Sequence, residues 1–172
     1  MSYLLLLVAM AAGVLPHLGG LSPAFGGMLY GGARLRRRDA LWLPLALMAA
    51  LYAVQALGIY HSGLGWGLLW TTVAMIPMVA AGEMLRQRRN WKRLGAAAVL
   101  GSTGFYVLSN FAVWWSGVLY PHTAAGLAAC YLAAVPFYGD SIAAGILFGG
   151  FLFAVDAFLA RRQALAVAEA RG

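Results

Sequence analysis

"TAAGLAACYLAAVPFYGDSIAAGILFGGFLFAVDAFLARR", residues 123–162, decides how the chain is arranged. It is almost uninterrupted apolar sequence, broken only around Pro136, Gly139 and Asp140. An α-helix rises 1.5 Å per residue, and about twenty apolar residues cross a ~30 Å hydrocarbon core. Taken as two elements, the stretch holds a short piece near 123–136 and a spanning piece near 141–160. About fourteen residues reach only ~21 Å. The short piece is therefore expected to lie on, or dip into, one face of a membrane, as a cap over residues 122–138.

Composition places the whole chain in the same setting. Of 172 residues, 63% are hydrophobic and 10% are charged. Mean hydropathy is +0.79. A water-soluble domain carries roughly a quarter charged residues, so this composition points to an integral membrane protein forming one helical bundle. A single cysteine, Cys130, allows no internal disulfide. The formal net charge of +7 could suggest nucleic acid, but all twelve basic residues fall in three clusters. They are Arg34, Arg36, Arg37 and Arg38; Arg86, Arg88, Arg89, Lys92 and Arg93; and Arg161, Arg162 and Arg171. Short basic loops are retained on the cytoplasmic side and meet anionic headgroups there. The expected partner is the lipid bilayer, with no nucleic acid.

These clusters fix a topology. Helices are expected near 3–16, 22–33, 40–59, 65–85, 94–115 and 141–160. With the 122–138 cap not crossing, six crossings return every basic cluster to one side and leave both termini in the cytoplasm of a bacterial inner membrane. The second helix is short and is expected to be tilted, broken or partly re-entrant. A cleaved signal peptide is a competing reading of the start, disfavoured because no Lys or Arg precedes the first apolar run. Pro77 should kink the fourth helix beside Thr71, Met75 and Met78.

Polar groups gather at the opposite, non-basic side. "NFAVWWSGVLYPHT", residues 110–123, ends the fifth helix there. Thr103, Tyr106, Asn110 and Trp114 recur at helical spacing and share one face. An amide in a membrane faces the bundle or a cavity, because lipid offers it no partner. The competing reading of Trp114, Trp115 and Tyr120 is an interfacial aromatic belt. His17, His61, His122 and Asp140 lie on the same side, but their spacing is not that of a metal motif, and no metal or cofactor is expected. Gln55 is expected to bond between helices, Glu83 to pair with Arg86, and Asp156 to pair with an arginine from a neighbouring loop. Gly145 with Gly149, and Ala9 with Gly13, form small-residue contact faces. No H-E-x-x-H, G-x-S-x-G or P-loop motif occurs. Ser109 or Ser116 with His122 is the one hydrolase-like pairing available, and the chain is expected not to be an enzyme.

"LPHLGGLSPAFGGMLYGGA", residues 15–33, and "SNFAVWWSGVLYPHTAAGLAACYLAAVPFYGDS", residues 109–141, resemble a family of small uncharacterised bacterial membrane proteins described as transport proteins. That family is similar to the substrate-binding S components of energy-coupling factor (ECF) transporters. The resemblance implies an all-α six-helix membrane bundle with a ligand site near the outer face. It also implies a small-molecule substrate such as a vitamin, and a coupling subunit with ATPases as partners. Ala9 and Gly13 are the positions that would match the coupling face. The expected substrate site is Asn110, Trp114, Tyr120, His122, Thr123, Tyr131 and Asp140, with Trp and Tyr enclosing the ligand and Asn110, Thr123 and Asp140 fixing its polar groups. A membrane-embedded enzyme using the same outer cavity, and an accessory subunit without ligand, are the alternatives.

Overall fold

The computed structural model describes residues 1–13, 21–54, 56–57, 66–87 and 90–170, and every regular element among them is helical. The helices are α1 (Ser2–Ala12), α2 (Pro23–Arg34), α3 (Trp42–Val54), α4 (Trp66–Ala74), α5 (Ile76–Gly82), α6 (Trp91–Trp115) and α7 (Ala124–Glu169). Gln55, His17, His61, Arg88, Arg89 and Arg171 lie outside the described residues.

The short second helix is the hub of the bundle. Ser22 caps it, its side chain accepting from the Ala24 amide at 3.3 Å, and Pro23 occupies the first turn, where a missing N–H costs nothing. Every residue from Ala24 to Ala33 is buried. Glycines weaken an isolated helix, yet each here meets a different neighbour. Gly26 lies against Phe148 and Gly149 of α7, Gly27 against Ala9 and Met10 of α1, Gly31 against Pro44 of α3, and Gly32 against Val79 and Gly82 of α5. Small side chains let four backbones approach one helix, which is how packing holds helices together without a hydrophobic drive between them. At twelve residues α2 reaches only ~18 Å. Enclosure by protein on all sides removes the need to match a bilayer's thickness.

The predicted fourth helix is interrupted, as Pro77 requires. α4 ends at Ala74, Met75 forms a turn, and α5 restarts with Pro77 in its first turn. Met75 and Met78 are core residues.

The principal departure from sequence expectation is α7. The cap at 122–138 and the helix at 141–160 are one continuous helix of 46 residues that contains Pro136. Its first half does not lie across the end of the bundle. It runs antiparallel along α6, with Gly126 near Pro121, Tyr131 against Tyr106, Tyr138 against Thr103 and Gly150 against Trp91. Proline removes one backbone bond. The side-chain bonds to α6 on either side of Pro136 hold the helix through that gap.

α7 also runs alongside α2, Gly149 meeting Gly26, the Phe153 ring tilted against Tyr30 at 5.3 Å, and Asp156 pairing with Arg34. That pair is the arginine partner expected for Asp156. The Arg86 side chain donates to the Leu35 carbonyl at 2.9 Å and approaches Glu83 at 3.8 Å, while Arg93 donates to the Met84 carbonyl. The described members of the basic clusters thus collect at one end of the bundle, and residues 160–170 of α7 project beyond it, exposed.

Ala9 and Gly13 do not form an outward face. Ala9 is buried against α2, and Gly13 against Leu51 of α3. The outward face of α1 is instead Leu4, Leu7 and Val8. The helical spacing of the small residues was read correctly, but their partners are this chain's own helices.

Candidate functional site

The predicted polar stripe on α6 exists: Thr103, Tyr106 and Asn110 meet α7, and Trp114 meets the turn that precedes it. Thr103 hydroxyl and Tyr138 hydroxyl are 2.8 Å apart. Tyr106 hydroxyl donates to the Tyr131 carbonyl at 2.6 Å, and Tyr131 hydroxyl donates to the Val107 carbonyl at 2.8 Å, a reciprocal clasp with the rings 5.4 Å apart. The Asn110 amide donates to the Tyr106 carbonyl at 2.8 Å, and the Cys130 thiol donates to the Asn110 carbonyl at 3.4 Å. Trp114 Nε1 donates to the Pro121 carbonyl at 3.0 Å. Each polar group satisfies a helix–helix contact or its own helix. The stripe is a seam.

At the seam's non-basic end the α6–α7 turn folds back on itself. Gly117 adopts a positive φ of 66°, which a side chain would strain. His122 Nε2 lies 3.0 Å from the Trp115 carbonyl, and the His122 ring meets Trp114 edge-on at 5.4 Å. Thr123 caps α7, its hydroxyl accepting from the Gly126 amide at 3.0 Å. Tyr120 is half-buried in the same turn, and Asp140 is half-buried farther along α7. Of the seven residues expected to build the site, Trp114, His122 and Thr123 thus build the turn, while Asn110 and Tyr131 build the seam. Asn110 also borders a small hollow of about 140 Å³ between α6 and α7, with Ser109, Tyr138 and Ser141.

A larger concavity lies where α6 meets α4. A cleft of about 860 Å³ opens between α4, the last three turns of α6 and the turn that follows. Trp66, Trp70 and Thr71 come from α4; Phe105, Ser109, Ala112, Val113 and Trp115 from α6; Ser116, Val118 and Leu119 from the turn. None of the seven expected residues lines it. Trp66 and Trp70 are one turn apart and so share a face of α4. That i, i+4 pair beside Thr71 is the signal in the sequence that points to this wall. Pro77 sets α5 against Gly104 and Gly101 of α6, and the break at Met75 precedes this packed segment. The cleft's side-chain hydroxyls are those of Thr71, Ser109 and Ser116. Ser116 donates to the Val113 carbonyl at 2.7 Å, and Ser109 lies 3.5 Å from the Tyr106 carbonyl. Among the described residues, no three His, Cys, Asp or Glu side chains stand close enough to share a metal ion.

Among the described residues the regular structure is all helical, and two helices, α6 and α7, are long and apolar enough to cross a membrane. The chain belongs to a family of unknown function, DUF6580, matched over residues 1–167. No curated protein and no solved structure matches it.

Proposed function

We propose that this chain is a membrane-embedded capture subunit that takes a small molecule from the outer face of a bacterial cytoplasmic membrane, in the manner of an ECF-type S component. The observation that carries the proposal is the 860 Å³ aromatic cleft at the end of the bundle away from the basic residues. Its volume falls in the range of small-molecule sites, and its lining has the usual mixture of apolar walls and a few hydroxyls. The alternating course of the helices supports six passes. α6 and α7 are antiparallel, α2 runs with α7, and the basic loops sit together where cytoplasmic loops belong. The crossing assigned to 141–160 then begins near Ala124 and uses most of α7. Both termini lie on the basic side, and a coupling subunit would meet α1 through Leu4, Leu7 and Val8, not through Ala9 and Gly13.

Binding rather than turnover is the reading because, among the described residues, no His, Asp, Glu or Lys lines the cleft beside its hydroxyls. Ser109 and Ser116 lie against carbonyls of their own helix, and His122 Nε2 is beside the Trp115 carbonyl. Native mass spectrometry of the protein in mild detergent tests the proposal, wild type beside Trp66→Ala/Trp70→Ala. Both tryptophans are exposed, so the variant keeps its core. The expected result is a small molecule retained by the wild type and lost from the variant. A wild type that flies empty, with no thermal shift across vitamins and metal ions, would make the cleft's tryptophans an interfacial belt.

A further inference from the structure

Resting on that capture reading, we infer that the cleft selects an uncharged, planar ring ligand with carbonyl or ring-nitrogen acceptors, and discriminates against the same ring bearing a charge. The first observation is electrostatic. No Asp, Glu, Lys or Arg is among the described residues that line the cleft. The connecting stretches 14–22, 55–65 and 116–123 contain none either; their only titratable groups apart from tyrosines are His17, His61 and His122. Arg34, Arg86 and Arg93 are engaged at the opposite end, and Arg162 lies over the Phe158 ring. Asp140, on α7, does not line the cleft. A charged group entering such a space gives up hydration and finds no counter-ion.

The second observation is shape. Trp66 and Trp70 of α4 and Phe105 and Trp115 of α6 line the cleft from two helices. Aromatic walls on two helices suit a flat ring system, which stacks or packs edge-on against them. The hydroxyls of Thr71, Ser109 and Ser116 are spread over both walls. Thr71 can donate to a neutral acceptor on the ring's rim, while Ser116 already donates to the Val113 carbonyl, and such weak dipoles cannot compensate a full charge. Indole faces also attract cations, so a charge series must include an amine. With no carboxylate in the lining and a formal net charge of +7 on the chain, the neutral member is the one favoured.

The test is energy transfer from tryptophan to three ring-matched probes: 9-anthracenemethanol, 9-anthracenecarboxylate and 9-aminomethylanthracene. The full chain is held in nanodiscs of zwitterionic lipid, and partition into empty discs is subtracted. The expected result is saturable binding of the alcohol, at least tenfold tighter than either charged probe, and several-fold weaker in Trp66→Leu. Charged probe binding equal to or tighter than the alcohol, still weakened by Trp66→Leu, would overturn the neutral-ligand inference and leave capture intact. Non-saturating signal for all three probes, identical in Trp66→Leu, would overturn capture at this cleft and the inference with it.

Discussion

Gly26→Ala is the sharpest test of the packing. A Cβ built on Gly26 falls 2.5 Å from the Gly149 amide nitrogen and from Phe148 Cβ, and 2.6 Å from the Phe148 carbonyl carbon. Ordinary contact begins near 3.4 Å, so α2 and α7 must separate by roughly 0.9 Å. Two of the three obstructing atoms are backbone and cannot rotate aside. A gap of that size forfeits about a quarter to a half of each van der Waals contact along the seam, and overpacking of this kind typically costs about 1–3 kcal/mol. The gain in helix propensity on replacing glycine, at most ~1 kcal/mol, offsets part of it. Gly95→Ala is the matched control, because a Cβ there meets nothing within 4 Å. For a chain of this size 1 kcal/mol moves the midpoint by about 2–4 °C. Thermal unfolding in detergent should therefore show Gly26→Ala several degrees below wild type and Gly95→Ala level with it or above. Gly26→Ala unfolding with the wild type, or Gly95→Ala falling beside it, would refute the close α2–α7 approach.

Three further outcomes follow from individual contacts. Asp156→Ala leaves Arg34 half-buried without its carboxylate and should destabilise by about 1–3 kcal/mol, discounted for the exposure of Arg34; Arg34→Ala/Asp156→Ala should recover part of the loss in the same melts. Thr123→Ala removes the cap of α7 and should cost about 1 kcal/mol, with Thr123→Ser close to wild type. Pro136→Ala restores a backbone donor within a continuous helix and should raise the midpoint, by an amount bounded by the ~3 kcal/mol a mid-helix proline costs.

The apolar segments, the basic clusters and the Met75–Pro77 break were legible because each leaves a local mark in the sequence. So was the Glu83–Arg86 pair, three residues apart. The continuity of α7 was not. Pro136, Gly139 and Asp140 are strong local signals for an end, and the hydroxyl bonds from Thr103 and Tyr106 that override them come from a different helix. The cleft was not legible for a related reason. Polarity led to Asn110, Tyr131 and Thr123, whose polar atoms are consumed in joining α6 to α7. The cleft is apolar, and Trp66 and Ser109, on its two walls, are distant in sequence. A search for polar residues does not find a site whose walls are tryptophans. The burial of Ala9 and Gly13 inside the bundle was illegible in the same way: small residues mark a close contact, and nothing in their spacing says whether the partner belongs to another chain.

Which way the cleft faces decides whether this is capture from outside the cell. Single cysteines at Val118, on the exposed rim of the cleft, and at Arg161, beyond the basic end, can be placed in a Cys130→Ala background and treated in intact cells with a membrane-impermeant maleimide. Labelling of Val118→Cys in intact cells, with Arg161→Cys labelled only after permeabilisation, is the result expected of an outward cleft. The reverse pattern would turn the cleft toward the cytoplasm and contradict capture at the outer face.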